Sequence, residues 1–258
     1  MYLVTIGEIF LKGENRITFE RKLMRNMRFA LDLKPDEIQR HRNRYLILND
    51  ENINQLQTVF GVNSYSKTIK CNPDEIKETA LSLIKNEKTF RVSSKTIQLI
   101  NKNSIELNNE IGEYIIKNKD IKVNLENPEI NIRIEEISGK IYLYTEIIKG
   151  PGGLPVGCSG YVYIRVKDEL KASVAAYLMM KRGCKIYLSS DLPLMHKFAK
   201  SFKLKVREEY DNDFIVTDET FENIDLKENQ KFILKPLIGY SEEEINKIYN
   251  KIVNINSE

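Results

Sequence analysis

Residues 150–183 of the chain are G-P-G-G-L-P-V-G-C-S-G, then Y-V-Y-I-R-V, then K-D-E-L-K-A-S-V-A-A-Y-L-M-M-K-R-G. Five of the 12 glycines lie between residues 150 and 160, a segment called the strap below, so its backbone must turn tightly or approach something closely. The next six residues are typical of a buried strand, and residues 174–179 predict a helix that ends at Gly183. Where an α/β fold binds phosphate, it usually does so at the turn between such a strand and helix.

The turn itself is poorly suited to phosphate. A phosphate site needs glycines, so that consecutive N–H groups can point at the anion without a Cβ atom in the way. The turn has no glycine, and its residues are Lys167, Asp168, Glu169, Leu170, Lys171, Ala172 and Ser173. Asp168 and Glu169 suit a helix N-terminus, where negative side chains compensate the helix dipole. We therefore interpret the turn as a site filled by the protein's own charge.

Both flanks of the turn resemble a known family. G-G-L-P-V-G-x-S-G followed by V-A-A-Y-L-M-M-K-R-G is similar to the junction in tRNA 4-thiouridine synthetases, the tRNA sulfurtransferases also linked to thiamine biosynthesis. In that family the turn is the PP-loop S-G-G-x-D-S-P of an ATP pyrophosphatase. The positions that match these letters hold Lys167, Asp168, Glu169, Lys171, Ala172 and Ser173. The resemblance therefore implies a degenerate PP-loop.

Composition excludes several classes of protein. With 41% hydrophobic and 30% charged residues the chain is typical of a soluble globular protein. It contains no run of 18 apolar residues, and because M-Y-L-V-T-I-G at its start is short and lacks basic residues, we expect no signal peptide. We therefore expect a cytoplasmic protein that binds no membrane. The three cysteines are too far apart in sequence for a disulfide framework or a local metal site. Residues 1–70 contain 12 Lys/Arg against 8 Asp/Glu, which favours either a polyanionic partner or a solvated basic face.

Residues 1–71 predict a ferredoxin-like domain. The predicted elements follow the order β-α-β-β-α-β. They are a strand over residues 2–6, a helix with Phe19, Leu23 and Met27 on one face, two short strands within 37–50, a second helix over 52–60 and a strand over 64–70. G-E-I-F-L-K-G-E-N-R at residues 7–16 again resembles the sulfurtransferase family, which opens with this domain. That resemblance implies RNA contacts at Lys12, Asn15 and Arg16.

Residues 72–149 predict a second domain. N-P-D-E at 72–75 and N-S-I-E at 103–106 are helix starts with capping boxes, and the second helix is expected to bury Ile105, Ile111, Ile115 and Ile116. Strands are predicted over 89–92, 121–123, 129–135 and 140–146, the last two joined by a hairpin through Ser138 and Gly139.

This second domain resembles a THUMP domain, an RNA-binding module of tRNA-modifying enzymes. The similarity is carried by F-R-V-S-S-K at 90–95, N-S-I-E-L-N at 103–108, I-G-E at 111–113 and V-N-L-E-N-P-E-I at 123–130. It implies RNA contacts at Arg91, Lys95, Lys102 and Asn103. Basic and amide side chains of this kind contact phosphates and 2′-hydroxyls and so recognise RNA shape.

Residues 161–258 predict a shortened Rossmann-like domain of the PP-loop ATPase type. Strands are expected over 185–188 and 214–217, with a helix over 193–202 that buries Leu194, Phe198 and Phe202. K-P-L-I-G-Y-S-E-E-E-I at 235–245 resembles the closing segment of the family, with Ser241 as the cap of a last helix. The chain is thus predicted to combine α/β and α+β domains over 1–71, 72–149 and 161–258. Between the last two, the strap at 150–160 is predicted to be ordered and to fix the third domain against the second, through Gly150, Gly152, Gly153, Pro155, Gly157 and Gly160.

Three functions fit this sequence. The first is a tRNA-binding protein without its own adenylation activity, which needs no cofactor and works with a separate catalytic or sulfur-carrier protein. The second is a divergent sulfurtransferase that uses ATP and Mg to adenylate and thiolate a tRNA uridine. The third is a protein-interaction scaffold, which could be a homodimer. Asp168 and Glu169 would repel a triphosphate, so the sequence favours the first function and leaves enzymatic activity open.

Overall fold

The computed structural model describes residues 1–7, 9, 13–49, 51–95, 97–210, 214–224 and 232–255. The chain divides into two compact units. The first comprises Met1–Val4, Gln39–Leu48 and Tyr65–Ile148, and the second comprises Thr5–Ile38, Asn49–Ser64 and Lys149–Glu258. Within the described ranges no helix is both long enough and apolar enough to cross a lipid bilayer.

The described residues form helices and three five-stranded sheets. The α-helices are α1 (Arg16–Leu31), α2 (Ile76–Ser82), α3 (Ser104–Asn118), α4 (Glu169–Lys181) and α5 (Glu242–Val253). The strands are β1 (Tyr2–Ile6), β2 (Ile38–His41), β3 (Arg44–Ile47), β4 (Val62–Lys67), β5 (Ile69–Cys71), β6 (Thr89–Ser94), β7 (Lys122–Val123), β8 (Ile130–Ile137), β9 (Lys140–Tyr144), β10 (Ile148–Lys149), β11 (Tyr161–Ile164), β12 (Lys185–Leu188), β13 (Lys205–Val206), β14 (Ile215–Val216) and β15 (Ile233–Leu234). The strand orders are β10-β4-β1-β3-β2, β5-β9-β8-β6-β7 and β13-β12-β11-β14-β15.

In the first unit, α2 and α3 pack against the sheet β5-β9-β8-β6-β7. The buried stripe of α3 contains Leu107, Ile111 and Ile115. Ile105 and Ile116, which the sequence assigned to the same face, are 70% and 50% exposed, so that prediction was wrong. The reason is the helical period: Leu107 lies four residues before Ile111, which lies four before Ile115, and this spacing keeps all three on one face.

Ser138 and Gly139 join β8 to β9 as the sequence predicted. Their φ angles are 51° and 70°, so the backbone of both residues is in the left-handed region. A two-residue turn with left-handed backbone at both positions has a twist that matches the strands of a hairpin. The local sequence therefore fixes the register of this pair, which closes with Ile137 opposite Lys140.

In the second unit, the sheet β13-β12-β11-β14-β15 is entirely parallel. Helix α4 connects β11 to β12 on one side, whereas β14 lies on the other side of β11. The carboxyl ends of β11 and β14 therefore flank the point where the strand order reverses, which is where α/β folds hold their ligands. Helix α4 is buried on nearly all sides and packs against α5 within the core of this unit.

Two segments predicted as α-helices are 3-10 helices, Ile53–Thr58 and Pro193–Phe198. In these helices and the residues that flank them, buried apolar side chains occur three residues apart: Ile53, Leu56 and Val59 at the first helix, and Leu192, Met195 and Phe198 at the second. A 3-10 helix has three residues per turn, so this spacing places them on one face. Leu194 and Phe202, which the sequence expected to share the buried face with Phe198, are only half-buried.

One side of the strap is hydrogen bonded to residues 61–63, within the second unit. The amides of Gly150 and Gly152 donate to the carbonyls of Asn63 (3.0 Å) and Val62 (2.8 Å). A Cβ atom on Gly150 would lie 2.4 Å from the Val62 carbonyl oxygen, so only glycine permits this approach. The sequence predicted that the strap fixes the third domain against the second, but these hydrogen bonds reach residues of the first predicted domain instead.

The other side of the strap is hydrogen bonded to the carboxyl end of α4. The amide of Leu154 donates to the carbonyl of Lys181 (2.9 Å), and the amide of Gly157 donates to that of Gly183 (2.7 Å). Gly183 follows the helix with a φ of 91°, as expected for a glycine that ends a helix. The strap therefore holds the carboxyl end of α4 in place.

Candidate nucleic-acid interface and the turn before α4

The N-terminal part of the predicted RNA-binding set is described only in part. Lys12 lies outside the described residues. Asn15 is exposed and directly precedes α1, without a capping hydrogen bond from its side chain. Arg16 donates from Nε to Oε1 of Glu20 at 2.7 Å, and Glu20 is only 6% exposed. Because a buried carboxylate needs a partner, the first role of Arg16 is to neutralise Glu20.

Arg91 and Lys95 lie on the face of the first unit's sheet that is turned away from α3. Phe90 and Val92 point toward α3 and are buried in the core, and side chains alternate along β6. Arg91 is exposed and donates from Nη1 to the Leu125 carbonyl at 3.0 Å. The positive charge of Arg91 is therefore held at the surface by a backbone group.

Glu135 on β8 organises the same face. It is 7% exposed and accepts hydrogen bonds from Lys95 Nζ (2.5 Å), Arg44 Nε (3.2 Å) and the Tyr144 hydroxyl (3.0 Å). Burial alone would raise the pKa of Glu135, but the hydrogen bonds from Lys95 and Arg44 outweigh burial and hold this pKa below its ordinary value. The carboxylate therefore stays ionised and positions two cations.

Lys102 and Asn103 lie at the start of α3. Lys102 Nζ and Lys77 Nζ both bind the Glu110 carboxylate, and these hydrogen bonds lower the pKa of Glu110. Asn103 Oδ1 accepts from the amides of Ile105 (3.0 Å) and Glu106 (2.9 Å), so the side chain caps the helix.

The four predicted contacts of the first unit lie on one short segment of chain. Lys95 follows β6 and Asn103 precedes α3, and the two ends are joined where Ser94 Oγ donates to the Ser104 carbonyl (3.3 Å). The structure thus brings Lys95 and Asn103 to the same end of the sheet, whereas Arg91 lies four residues earlier on β6. This segment is the candidate nucleic-acid interface of the first unit.

The turn before α4 is closed by its own side chains. Asp168 is the N-cap, and its Oδ1 accepts from the Lys171 amide at 2.9 Å. A hydrogen bond to Glu242 Oε1 (2.5 Å) raises the pKa of Lys171. Glu169 is exposed at the first helical position, whereas Ala172 and Ser173 are buried inside the helix.

The anion position at this turn is occupied by Asp218. This residue follows β14, is 4% exposed, and accepts through Oδ2 from the amides of Lys167 (2.9 Å) and Asp168 (2.7 Å). A helix N-terminus with two converging N–H groups binds negative charge well, and here that charge is a side chain of the same chain.

The neighbouring Glu219 is also buried and is neutralised by two lysines. Lys235 Nζ binds its Oε2, and Lys167 Nζ lies 3.6 Å from its Oε1. Among the described residues, Lys167 and Lys235 at this edge of the sheet are therefore already engaged with a carboxylate.

The residues at this turn do not fit the triphosphate and magnesium that the PP-loop resemblance implies. Both amides are bonded to Asp218, two carboxylates flank the helix start, and Lys171 offers an ammonium group where magnesium needs an oxygen ligand. Elsewhere in the described part of the chain, no cluster of three or more His, Cys, Asp or Glu side chains could hold a metal ion.

Sequence reasoning missed Asp218 and Glu135. Asp218 lies 50 residues after Asp168, and only the strand order shows that the two meet. A usable signal was present, because T-D-E-T follows the buried strand I-V, and carboxyl ends of neighbouring parallel strands share an edge. Glu135 gave no such signal, since a charged residue on a strand usually faces solvent.

Two family models match the chain. The ThiI ferredoxin-like domain matches residues 1–66, and the THUMP domain matches residues 70–146. With the parallel sheet of the second unit, these matches define a THUMP-domain protein whose carboxyl-terminal part is Rossmann-like.

Curated relatives point to the same family. The chain is 37% identical over 192 residues to a probable tRNA sulfurtransferase of Mycoplasmopsis synoviae, covering 71% of this chain and 50% of the relative. It is 39% identical over 198 residues to one of a Geobacillus species, covering 71% and 49%. The chain belongs to the ThiI family, and it spans about half the length of these curated relatives.

Solved structures show the same architecture. PH1313 from Pyrococcus horikoshii superposes with a TM-score of 0.81 at 29% identity, covering 98% of this chain and 99% of that one. A 4-thiouridine synthetase, solved with RNA and bound ATP, superposes with a TM-score of 0.67 at 27% identity, covering 79% of this chain and 60% of that one.

Proposed function

We propose that this chain binds tRNA through its ferredoxin-like and THUMP domains and that its Rossmann-like domain does not activate ATP. The proposal that this domain does not activate ATP rests on the two hydrogen bonds that the amides of Lys167 and Asp168 donate to Asp218. Catalysis on the bound tRNA would then come from a separate catalytic or sulfur-carrier protein. The family membership and the exposed side chains of Arg91, Lys95 and Asn103 support tRNA binding.

A working sulfurtransferase is the second candidate, favoured by the names of the curated relatives and by the ATP in the synthetase neighbour. It would require Asp218 to leave the two amides when ATP binds. Release of pyrophosphate from ATP that depends on added tRNA would establish this candidate and refute the proposal, because pyrophosphate leaves when ATP adenylates the uridine oxygen. No tRNA-dependent pyrophosphate above a protein-free control is expected.

A titration with tRNA over a range of salt concentrations tests the proposed tRNA binding. A quadruple alanine variant of Lys12, Arg16, Arg91 and Lys95 is unsuitable, because it removes the cations that neutralise buried Glu20 and Glu135 and would therefore also change stability. The sharper variant is Arg91→Gln with Lys102→Gln, since Glu110 keeps its ion pair with Lys77.

The double variant should bind tRNA several-fold more weakly at low salt, with a salt slope flattened by at most about two units. The matched control is Lys247→Gln with Lys251→Gln, which removes two exposed cations from α5 and should leave most of the affinity intact. Equal binding by the parent and the Arg91/Lys102 variant at every salt concentration would refute this interface.

A further inference from the structure

The sheet of the second unit has a second face with unusual side chains. Val162 and Ile186 point to the core with α4, so the alternating residues Tyr161 and Lys185 point to the opposite face. Parallel sheets are usually covered by apolar packing on both faces. Here Tyr161 is 50% exposed, and the described residues next to it on this face of β11 and β12 are Tyr163, Lys185 and Tyr187.

The aromatic rings of this face form a continuous stack. The rings of Tyr161 and Tyr187 are 5.2 Å apart and within 10° of parallel. The Arg207 guanidinium lies 4.1 Å from the Tyr187 ring centre and 4.4 Å from that of Tyr210. Tyr161 and Tyr210, at the two ends of the stack, are 50% and 62% exposed. The half-exposed ring of Tyr161 could therefore stack with a further flat ring, close to Lys185 Nζ, which lies 5.2 Å from its centre.

Two lysines converge beside the stack. A Cβ atom on Gly157 would lie 3.5 Å from Nζ of Lys22 and 3.1 Å from Cε of Lys185, so both side chains meet at this glycine of the strap. Lys185 Nζ donates to the Tyr161 hydroxyl at 3.2 Å. Within the described residues neither lysine forms an ion pair, and the repulsion of two neighbouring ammonium groups would be relieved by an anion between them.

We propose that the Tyr161–Tyr187–Arg207–Tyr210 stack and the lysine pair bind single-stranded RNA. A base stacks on Tyr161, and a backbone phosphate lies between Lys22 and Lys185. Aromatic stacking next to cations is how proteins hold unpaired nucleotides, because every base offers a π-face and every nucleotide a phosphate. The inference rests on the proposed function only in taking the strand to be an unpaired segment of tRNA.

The test is fluorescence anisotropy of the full chain with a labelled, unstructured eight-nucleotide RNA, and with a blunt-ended RNA duplex for comparison. Tyr161→Ala should weaken binding of the octamer about tenfold or more and leave duplex binding unchanged. Tyr161→Phe keeps the ring and should stay within twofold of the parent. Phe221→Ala, which removes an exposed ring elsewhere (76% exposed), should have no effect.

The salt dependence of octamer binding tests the role of the lysine pair. Lys22→Gln with Lys185→Gln should flatten the salt slope of octamer binding by about one to two units. If Tyr161→Ala proves unstable by thermal unfolding, photocrosslinking of the parent to a 5-bromouridine octamer replaces it, and crosslinks should map to Tyr161 or Tyr187. Crosslinks confined to residues 72–149 would overturn the proposal.

Other outcomes also overturn it. Failure of the parent to bind the octamer, or equal affinities of Tyr161→Ala and Tyr161→Phe, would exclude stacking on this ring. Conversion of a dimer to a monomer by Tyr161→Ala, with RNA affinity unchanged, would make this face a protein interface. Binding of the octamer that depends on Tyr161 without any binding of intact tRNA would refute the proposed function and leave this inference standing.

Discussion

Replacing Gly153 with alanine should destabilise the second unit far more than the same change at its neighbour Gly152. Both glycines are left-handed, with φ angles of 72° and 67°. A Cβ atom on Gly153 would lie 2.2 Å from the Lys181 carbonyl oxygen, whereas one on Gly152 has no atom within 4 Å. The two variants therefore share the same backbone strain and differ only in the close approach to α4.

The magnitude follows from these two contributions. Left-handed backbone costs an alanine about 1–2 kcal/mol, so Gly152→Ala should lose that much. Gly153→Ala must also displace the Lys181 carbonyl, which breaks its hydrogen bond from Leu154 and adds about 1–3 kcal/mol for groups left without partners. The total expected for Gly153→Ala is about 2–5 kcal/mol.

Guanidinium unfolding followed by far-UV circular dichroism measures both variants, since the chain contains no tryptophan. Hydrogen exchange across residues 150–160 and 181–183 should accelerate only in Gly153→Ala. If the two variants unfold within about 0.5 kcal/mol of each other, the close packing of the strap on α4 does not hold the unit together as described.

The remaining predictions concern single side chains. Because the pKa of Glu135 is lowered in the folded state, its ionised form stabilises the chain above the unfolded value near 4.5, and this contribution is lost as the pH falls through the lower folded pKa. Glu135→Gln should therefore cost about 1–3 kcal/mol at pH 7 and clearly less at pH 3.5, by denaturant titration; an equal loss at both values would contradict the ion pairing. Asn103→Ala should lose about 1 kcal/mol by removing the cap of α3, while Asn103→Asp should keep that stability yet weaken tRNA binding through its added negative charge; unchanged binding would separate Asn103 from the interface. Lys197→Met should lower the thermal midpoint, because Lys197 Nζ donates to the carbonyls of Ile252 (2.6 Å), Val253 (3.2 Å) and Ile255 (3.0 Å) at the end of α5; an unchanged midpoint would show that water replaces it at no cost.

Local signals in the sequence predicted much of the secondary structure. The periodicity and good helix formers of residues 174–179 predicted α4, and Ser241 with Glu244 predicted the start of α5, because helix caps and helical spacing are local properties. The same local reasoning failed where burial follows a different period. The spacing of Leu192, Met195 and Phe198 fits three residues per turn, and the prediction used four.

Only part of the chemistry at the turn before α4 could be predicted from the sequence. The absence of glycine and the charges of Asp168 and Glu169 are visible in the sequence, and they indicated a turn filled from within. The carboxylate that fills it, Asp218, comes from the neighbouring parallel strand, and strand order is not a local property. In the first unit, the surroundings of Glu135 similarly depend on residues distant in sequence, since Arg44 and Lys95 lie 91 and 40 residues before it.

Isothermal titration of the parent chain with ATP and magnesium, with and without tRNA, tests whether the Rossmann-like domain binds ATP. Because Asp218 is bonded to the amides of Lys167 and Asp168, we expect no binding heat up to millimolar ATP in either titration. Saturable binding of ATP in the micromolar range, in either titration, would contradict it.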